Sequence, residues 1–580
     1  MSAHSAFVFK VASEDWEFEQ IHRLNYRTFV EEIPQHQPST TQRLVDKFHA
    51  ENTYLICLRD QKLAGMLAVR GDRPFSLDQK LPNLDSHLPA GRKICEIRLL
   101  AIEKKSRGAR GGQVLQGILA LLWQHGVEKS YDLAIISGTT RQARLYQHLG
   151  FVPFGPLVGA GDAQFQPMYV TLETFEVTAR EFLRSSPARS FHPSAVNFLP
   201  GPVTVRREVR RAFEQAPESH RAESFKADFQ ATKKILCELV RAKNAGLFLG
   251  SGTLANDIIA AQLSLRGERG LVLSNGEFGA RLIDQARRFR LDFEAIELSW
   301  GEPLNLALVR KKFASVPAPA WMWCVHCETS TGVLNDLAAL RELCGEYGVK
   351  LCLDCISSIG TVPVDLTGVY FASCSSGKGL RSYPGVSMVF HNHDVAAAEG
   401  GVPRYLDLGY YAQQEGIPFT FSSNLLHALH AAVKRVDWER RFADTAADSA
   451  WLRPRLREIG FELVGNRTKT SPAVITLALP PEMNSAKMGS LMQEAGYLLS
   501  YNSEYLRQRN WLQICLMGEC TREKVVSLVN ALNRVCFRRR VAVASAETPA
   551  AVVGDTNAPR EIPLGVSSRP ARDGRSRTTA

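Results

Sequence analysis

No apolar run in these 580 residues reaches the ~18–20 residues that cross a bilayer, so no membrane span is expected. The opening Met1-Ser2-Ala3-His4-Ser5 does not read as a signal peptide. Formal charge is +11, from 70 Lys and Arg against 59 Asp and Glu, but no basic stripe is interleaved with aromatic residues. That argues against a nucleic-acid partner and for attraction of anionic substrates and cofactors. Twelve cysteines without a secretion signal point to reduced thiols and a cytoplasmic location. Two cysteine pairs, Cys324-x-x-Cys327 and Cys352-x-x-Cys355, have the outline of a zinc site. Both lie at the ends of strand-like runs, where free Cys acts as a small apolar residue. Strand alternation also sends positions i and i+3 to opposite faces. No metal is expected.

What is present is a composition of 45% hydrophobic and 22% charged residues, ordinary for a globular protein, on a chain too long for one core. Over 7–175, strand-like runs at 54–58, 63–70, 94–102 and 133–137 mix with helical periodicity at 16–29 and 113–123. A first domain over 1–185 is expected. Ser185-Ser186-Pro187 and His192-Pro193 mark a linker over 186–196. From 197 to 540, strand-like runs alternate with amphipathic segments such as 254–265, 280–290 and 336–347, which predicts a mainly parallel sheet covered by helices. The last stretch, 541–580, is rich in Ala, Pro, Ser and Arg, and is expected to be disordered.

Within the second domain, Lys378 sits among small residues in Ser376-Gly377-Lys378-Gly379, 24 positions after Asp354. Alone, such a lysine is an ordinary loop residue. It is accompanied by a Gly250-Ser251-Gly252-Thr253 turn that opens a helix, by Phe278 in a turn and by a hydroxyl-rich Glu328-Thr329-Ser330-Thr331-Gly332 segment. The first N–H groups of a helix have no internal acceptor and favour an anion. A carboxylate such as Asp354, ending a buried strand, demands a partner. Ile356 and Phe278 could press on the two faces of a flat ring. An amine, an acid, an anion site and a stacking ring are the parts that pyridoxal 5'-phosphate (PLP) requires.

These residues, with Pro200-Gly201-Pro202 and Ser219-His220-Arg221, stand in the order found in class V aminotransferases. The stretch 197–535 resembles the branch of alanine–glyoxylate, serine–pyruvate and 2-aminoethylphosphonate transaminases. The resemblance implies a fold-type I α/β homodimer, with a smaller C-terminal α/β subdomain and the active site at the subunit interface. It implies that Lys378 carries PLP, that Asp354 holds the ring nitrogen and that Thr329 bonds the phenolic oxygen side. It gives Ser251, Gly252, Thr253 and Ser376 to the phosphate, with Thr420 contributed across the interface, and places Gly201 and Gln513 at the substrate. Gln513 stands where the family has a carboxylate-binding arginine. Either Arg507 or Arg509 substitutes, or the substrate is not an ordinary 2-amino acid.

In the first domain, Glu96-Ile97-Arg98 on a strand precedes a basic glycine-rich turn, Arg107-Gly108-Ala109-Arg110-Gly111-Gly112, that opens a helix. Such a turn suits a pyrophosphate or phosphopantetheine phosphate, with Arg107, Gly108, Gly111 and Gly112 as contacts. Tyr146 could protonate a thiolate leaving group and Glu96 could take an amine proton through water. The blander readings are a Glu96–Arg98 ion pair and a core tyrosine. The stretch 7–175 resembles GNAT-type N-acyltransferases, on Leu24-Asn25-Tyr26-Arg27-Thr28-Phe29-Val30-Glu31-Glu32 and Glu96-Ile97-Arg98 near the N-acyl amino acid and acyl-homoserine lactone synthases. The donor thus implied is an acyl-CoA or an acyl carrier protein thioester.

The expectation is a bifunctional enzyme, transaminating one substrate and N-acylating an amine. Its rivals are a PLP lyase or desulfurase, which usually has His where Gly377 stands, and a first domain that only senses acyl thioesters.

Overall fold

The computed structural model describes residues 7–33, 36–107, 111–159, 164–180, 195–465 and 468–546. Most of the linker, residues 108–110 of the basic turn and the tail beyond 546 lie outside the described residues. The chain divides into a compact unit through Val535 and a second from Cys536 onward. Of the tail expected over 541–580, residues 541–546 belong to the helix Arg522–Ala546, in keeping with the alanine-rich sequence there, and the rest lies outside the described residues.

The N-terminal lobe is built on one seven-stranded sheet, in the order β1-β2-β3-β4-β5-β7-β6. Its strands are β1 (Val8–Val11), β2 (Thr53–Arg59), β3 (Lys62–Arg70), β4 (Ile94–Ile102), β5 (Leu133–Thr139), β6 (Val152–Pro153) and β7 (Phe165–Thr171). Period-two alternation gives each strand two apolar faces. Leu55, Cys57, Leu67 and Val69 pack on α2 (Gly111–Lys129) through Val114 and Ile118. Tyr54, Ile56, Met66 and Ala68 pack on α1 (Asp15–Tyr26) through Ile21 and Leu24. The two helices therefore cover opposite faces. Two shorter helices, α3 (Ala143–His148) and α4 (Leu172–Thr178), complete the lobe.

β4 and β5 are the parallel pair, but they are joined only over Ile94–Glu96 and Leu133–Ile135, although both strands run on. On its other side β4 carries a bulge opposite Met66–Ala68, with Leu99 at φ 51°. An extra residue on one strand bends it away from its neighbour. The result is a gap in the sheet between β4 and β5.

The second lobe holds another seven-stranded sheet. Its order is 293–297, 270–274, 321–325, 350–354, 371–375, 385–391, 244–250. The first five strands pair parallel, and Gly385–His391 runs antiparallel to both its neighbours. The mainly parallel sheet expected from the sequence is present. Leu351 and Leu353 face one core and Cys352 the other, as a strand covered by helices on both faces requires. A three-stranded antiparallel sheet, 462–463, 474–478 and 511–515, forms the smaller C-terminal part. Arg92 of the first lobe bonds both Glu173 and Glu519 at 3.1 Å, tying the lobes together.

Candidate active sites

In an open parallel sheet the carboxyl ends of the strands face the ligand crevice. Three elements meet there. The strand Lys350–Asp354 ends on Asp354, the strand Asn244–Gly250 leads into the helix Gly252–Ser264, and the loop after Phe371–Ser375 carries Lys378. Asp354 is 5% exposed and accepts from Asn256 Nδ2 at 2.8 Å and from the Ile356 N–H at 2.9 Å. Burial pushes its carboxyl above the ordinary range.

Lys378 Nζ lies 3.0 Å from Ser357 Oγ, which in turn bonds Thr329 Oγ1. It also lies 5.3 Å from the centre of the Phe278 ring. Burial pushes the amine below the ordinary lysine range, favouring the neutral nucleophile. Gly201 packs on the lysine stem: a Cβ there would sit 3.2 Å from Gly377 O and 3.4 Å from Lys378 Cγ. At the helix start, Ser251 is exposed and makes no capping bond of its own, and Thr253 is also exposed. A Cβ on Gly252 would meet Ile356 Cδ1 at 2.6 Å, so the glycine lets the turn pack closely on the Ile356 side chain.

The remaining expected residues are placed as follows. Ser376 is fully buried and donates its hydroxyl to the Tyr383 carbonyl at 2.6 Å while accepting from Val386 N–H, so it holds the Lys378 loop. Thr420 is exposed. Gln513 departs most from expectation. It is 0% exposed, donates to Thr329 O at 2.6 Å and to Thr476 Oγ1 at 2.9 Å, and accepts from the Tyr505 hydroxyl at 3.2 Å. Its amide is consumed in fastening the strand Trp511–Cys515 to the 329–330 turn. Arg509 stacks on Trp300 at 3.6 Å, and Arg507 is exposed.

Asn256, Ser357 and Glu328 were given no role in the sequence. The fully buried Glu328 accepts from the N–H groups of Phe278, Gly279 and Ser330, at 3.3, 3.0 and 3.1 Å, and so fixes the turn that carries the Phe278 ring. The only sequence signal for Asn256 was its place one helical turn after Gly252.

In the first lobe a cavity of about 870 Å3 occupies the gap between β4 and β5 and reaches both faces of the sheet. Its α2 side is apolar, with Leu115, Leu119, Leu122, Phe151 and Phe175. Its α1 side mixes apolar Phe29 and Leu99 with polar Asn25, Thr28, Asp46, Glu96 and Arg98. Tyr146 lines it half-buried, its hydroxyl donating to Gln142 at 2.8 Å, and burial raises the phenol so that it stays protonated. Glu96 lines the wall, but its carboxylate accepts from Ser76 N–H at 2.8 Å, the Ser76 hydroxyl, Leu77 N–H at 3.3 Å and Arg98 at 3.4 Å. This is the bonding of an anchor for the 76–77 turn, and it contains the bland Glu96–Arg98 pair. Arg98 also reaches Asp46 at 2.7 Å, a partner the sequence did not offer. Arg107 bonds Glu32 and the Ile102 carbonyl. Gly111 starts α2, and Gly112 has open space around it. Gly108 lies outside the described residues.

The geometry therefore shows two separate groups of candidate residues on two different sheets, and the comparisons divide the chain in the same way. The class V aminotransferase family model matches residues 211–500, and the N-acyl amino acid synthase FeeM model matches residues 20–164. The 2-aminoethylphosphonate–pyruvate transaminase of Paraburkholderia phymatum is 28% identical over 361 residues, 59% of this chain and 97% of that protein. The soluble hydrogenase 42 kDa subunit of Anabaena cylindrica is 31% identical over 51% of this chain and 81% of its own length. Among solved structures, an alanine–glyoxylate aminotransferase from Nostoc sp. superposes with a TM-score of 0.55 at 26% identity, over 61% of this chain and 98% of its own.

The second lobe thus has the fold of the PLP-dependent aminotransferases. The chain belongs to the class V aminotransferase family and carries an N-acyl amino acid synthase domain before it. It is a bifunctional enzyme of transamination and N-acylation.

A class V aminotransferase is expected to use PLP, and the donor set fits that group. A buried carboxylate held by neutral N–H donors, a desolvated lysine amine, an uncapped glycine turn at a helix start and an aromatic ring converge at one sheet end. Among the described residues no helix is long and apolar enough to cross a membrane.

Proposed function

We propose that PLP is held in the second lobe by Lys378, Asp354, Phe278, Ile356, Thr329 and the Ser251-Gly252-Thr253 turn, with Thr420 supplied by a second copy of a homodimer. When bound, PLP supplies an electron sink for the substrate's α-carbon. The Lys378 amine, its pKa lowered by burial, takes and returns the proton at that carbon. Asn256 and the Ile356 N–H orient the Asp354 carboxylate toward the ring-nitrogen position. Ser357 holds the Lys378 amine beside Thr329.

The observation that carries this reading is the convergence of the buried Lys378 amine, bonded to Ser357, and buried Asp354 at one end of a parallel sheet. Lys378→Ala is expected to lose the visible absorbance of lysine-bound cofactor and to transaminate at background. Transamination by that variant would remove the assignment. Because Gln513 is spent inside the fold, a 2-amino acid carboxylate is not expected to be gripped in the family's usual way, and alanine–glyoxylate exchange is expected to be weak.

The GNAT-like first lobe, over about 1–185, acts in this reading on an acyl thioester, from CoA or a carrier protein. The thioester lies on the α2 side of the cavity and the amine on the α1 side. Tyr146 protonates the departing thiolate. The linker over 186–196 leads to the aminotransferase domain over 197–540. The free cysteines suit a reducing, cytoplasmic setting.

A further inference from the structure

Buried polar groups are nearly always hydrogen-bonded, and one left without a partner calls for an explanation. In the first lobe several such atoms gather on one cavity wall. Asn25 is 0% exposed, yet neither its Nδ2 nor its Oδ1 has a partner. Thr28, one helical turn on and 5% exposed, has an unpartnered hydroxyl. The Ser137 hydroxyl and Arg98 Nε are also unpartnered. All four residues line the same 870 Å3 space.

We propose that Asn25 and Thr28 form the seat of the acceptor amine. The assignment rests on the reading of this lobe as an N-acyltransferase. Three features select the acceptor over the thioester. Asn25 and Thr28 lie on the face covered by α1, opposite the apolar α2 face. The paired part of β4 and β5 ends at Glu96 and Ile135, and the cavity is lined by residues of both strands beyond that point. The seat also offers donors and acceptors together, an amide and a hydroxyl, which match a neutral amine with its N–H bonds and lone pair.

The chemistry balances without an added reactant. The amine nitrogen forms a bond to the thioester carbonyl carbon, the carbon–sulfur bond breaks, and the nitrogen loses one proton. The thiolate gains one from Tyr146, and the amine proton restores the phenol. Glu96, already bonded to four donors, anchors the wall in this scheme, and the seat holds the amine.

The test uses the full-length protein with dodecanoyl-CoA and dodecanoyl carrier protein as donors and the twenty amino acids as acceptors, followed by kinetics on the best pair. Asn25→Leu and Thr28→Val remove the seat with little change in shape. Losing these bonds is expected to raise the acceptor KM roughly tenfold, with the thioester KM unchanged. Replacing an unpartnered buried polar group with an apolar one is neutral or stabilising, so the unfolding midpoint should hold or rise. A residue serving only structure would give the opposite, a lower midpoint with an unchanged KM ratio. Asn25→Ser, which keeps a donor and an acceptor, should recover part of the acceptor affinity. A wild type that acylates no amine overturns the acyltransferase reading and the seat with it. A wild type that acylates, with acceptor KM unchanged in Asn25→Leu and Thr28→Val, overturns the seat alone.

Discussion

The two lobes place their chemistry differently. In the aminotransferase lobe the reactive groups stand at the ends of strands and helices: Asp354 closes a strand, Ser251 and Gly252 open a helix, and Lys378 follows a strand into a loop. Each reaches the crevice because the element behind it is rigid and buried. In the acyl lobe the charged residues are tied to one another, Asp46 to Arg98 and Arg98 to Glu96. What that lobe presents is shape: a cavity, apolar on its α2 side, where the sheet opens beside the Leu99 bulge. Removing one side chain should therefore cost the first lobe less chemistry than the second.

That contrast can be tested from its strongest effect downward. Asp354→Asn keeps the shape of a buried side chain but removes the charge proposed to hold a protonated ring nitrogen. Transamination is expected to fall by more than about 10²-fold while some cofactor remains bound, measured by half-reaction absorbance. Near wild-type rates would show that Asp354 serves only packing. In the acyl lobe, Tyr146→Phe removes a proton donor, for which ~10²-fold is the lower end of the usual range. Thioester consumption reads this, and a loss under about threefold would leave Tyr146 as a wall residue.

Glu96→Gln should act mainly on stability. It weakens charge-assisted bonds from Ser76, Leu77 and Arg98, at a cost of about 1–3 kcal/mol, seen as a lower unfolding midpoint. A larger loss of acylation than of stability would restore Glu96 as a base. The last variant is Gln513→Arg. A family-like arginine would be expected to improve alanine–glyoxylate exchange if the position faced the substrate. Buried as Gln513 is, the change places a charge against the Thr329 and Thr476 oxygens it now bonds, and should instead destabilise the 329–330 turn. Improved exchange at unchanged stability would contradict the placement.

The sequence made the aminotransferase lobe legible because its signals are local. Asp354 ends an apolar run, and the Gly250-Ser251-Gly252-Thr253 turn sits between strand and helix. What it left unread were long-range partners. Asn256 meets Asp354 across 98 positions, and Arg98 meets Asp46 across 52. No periodicity signals such pairs, because the fold brings them together. Gln513 illustrates the same limit: motif position marked it as a substrate contact, whereas packing turned its amide inward. The acyl cavity was legible only as a resemblance, since a bulge at Leu99 and a short β4–β5 ladder leave no composition signature.

The central claim is that one chain holds two independent sites of unlike construction. The direct measurement follows both reactions in one preparation of wild type, Lys378→Ala and Tyr146→Phe, with half-reaction absorbance for transamination and thioester consumption for acylation. The account predicts a double dissociation: Lys378→Ala loses transamination and keeps acylation, and Tyr146→Phe does the reverse. Loss of both activities in either variant, with the fold intact, would contradict it.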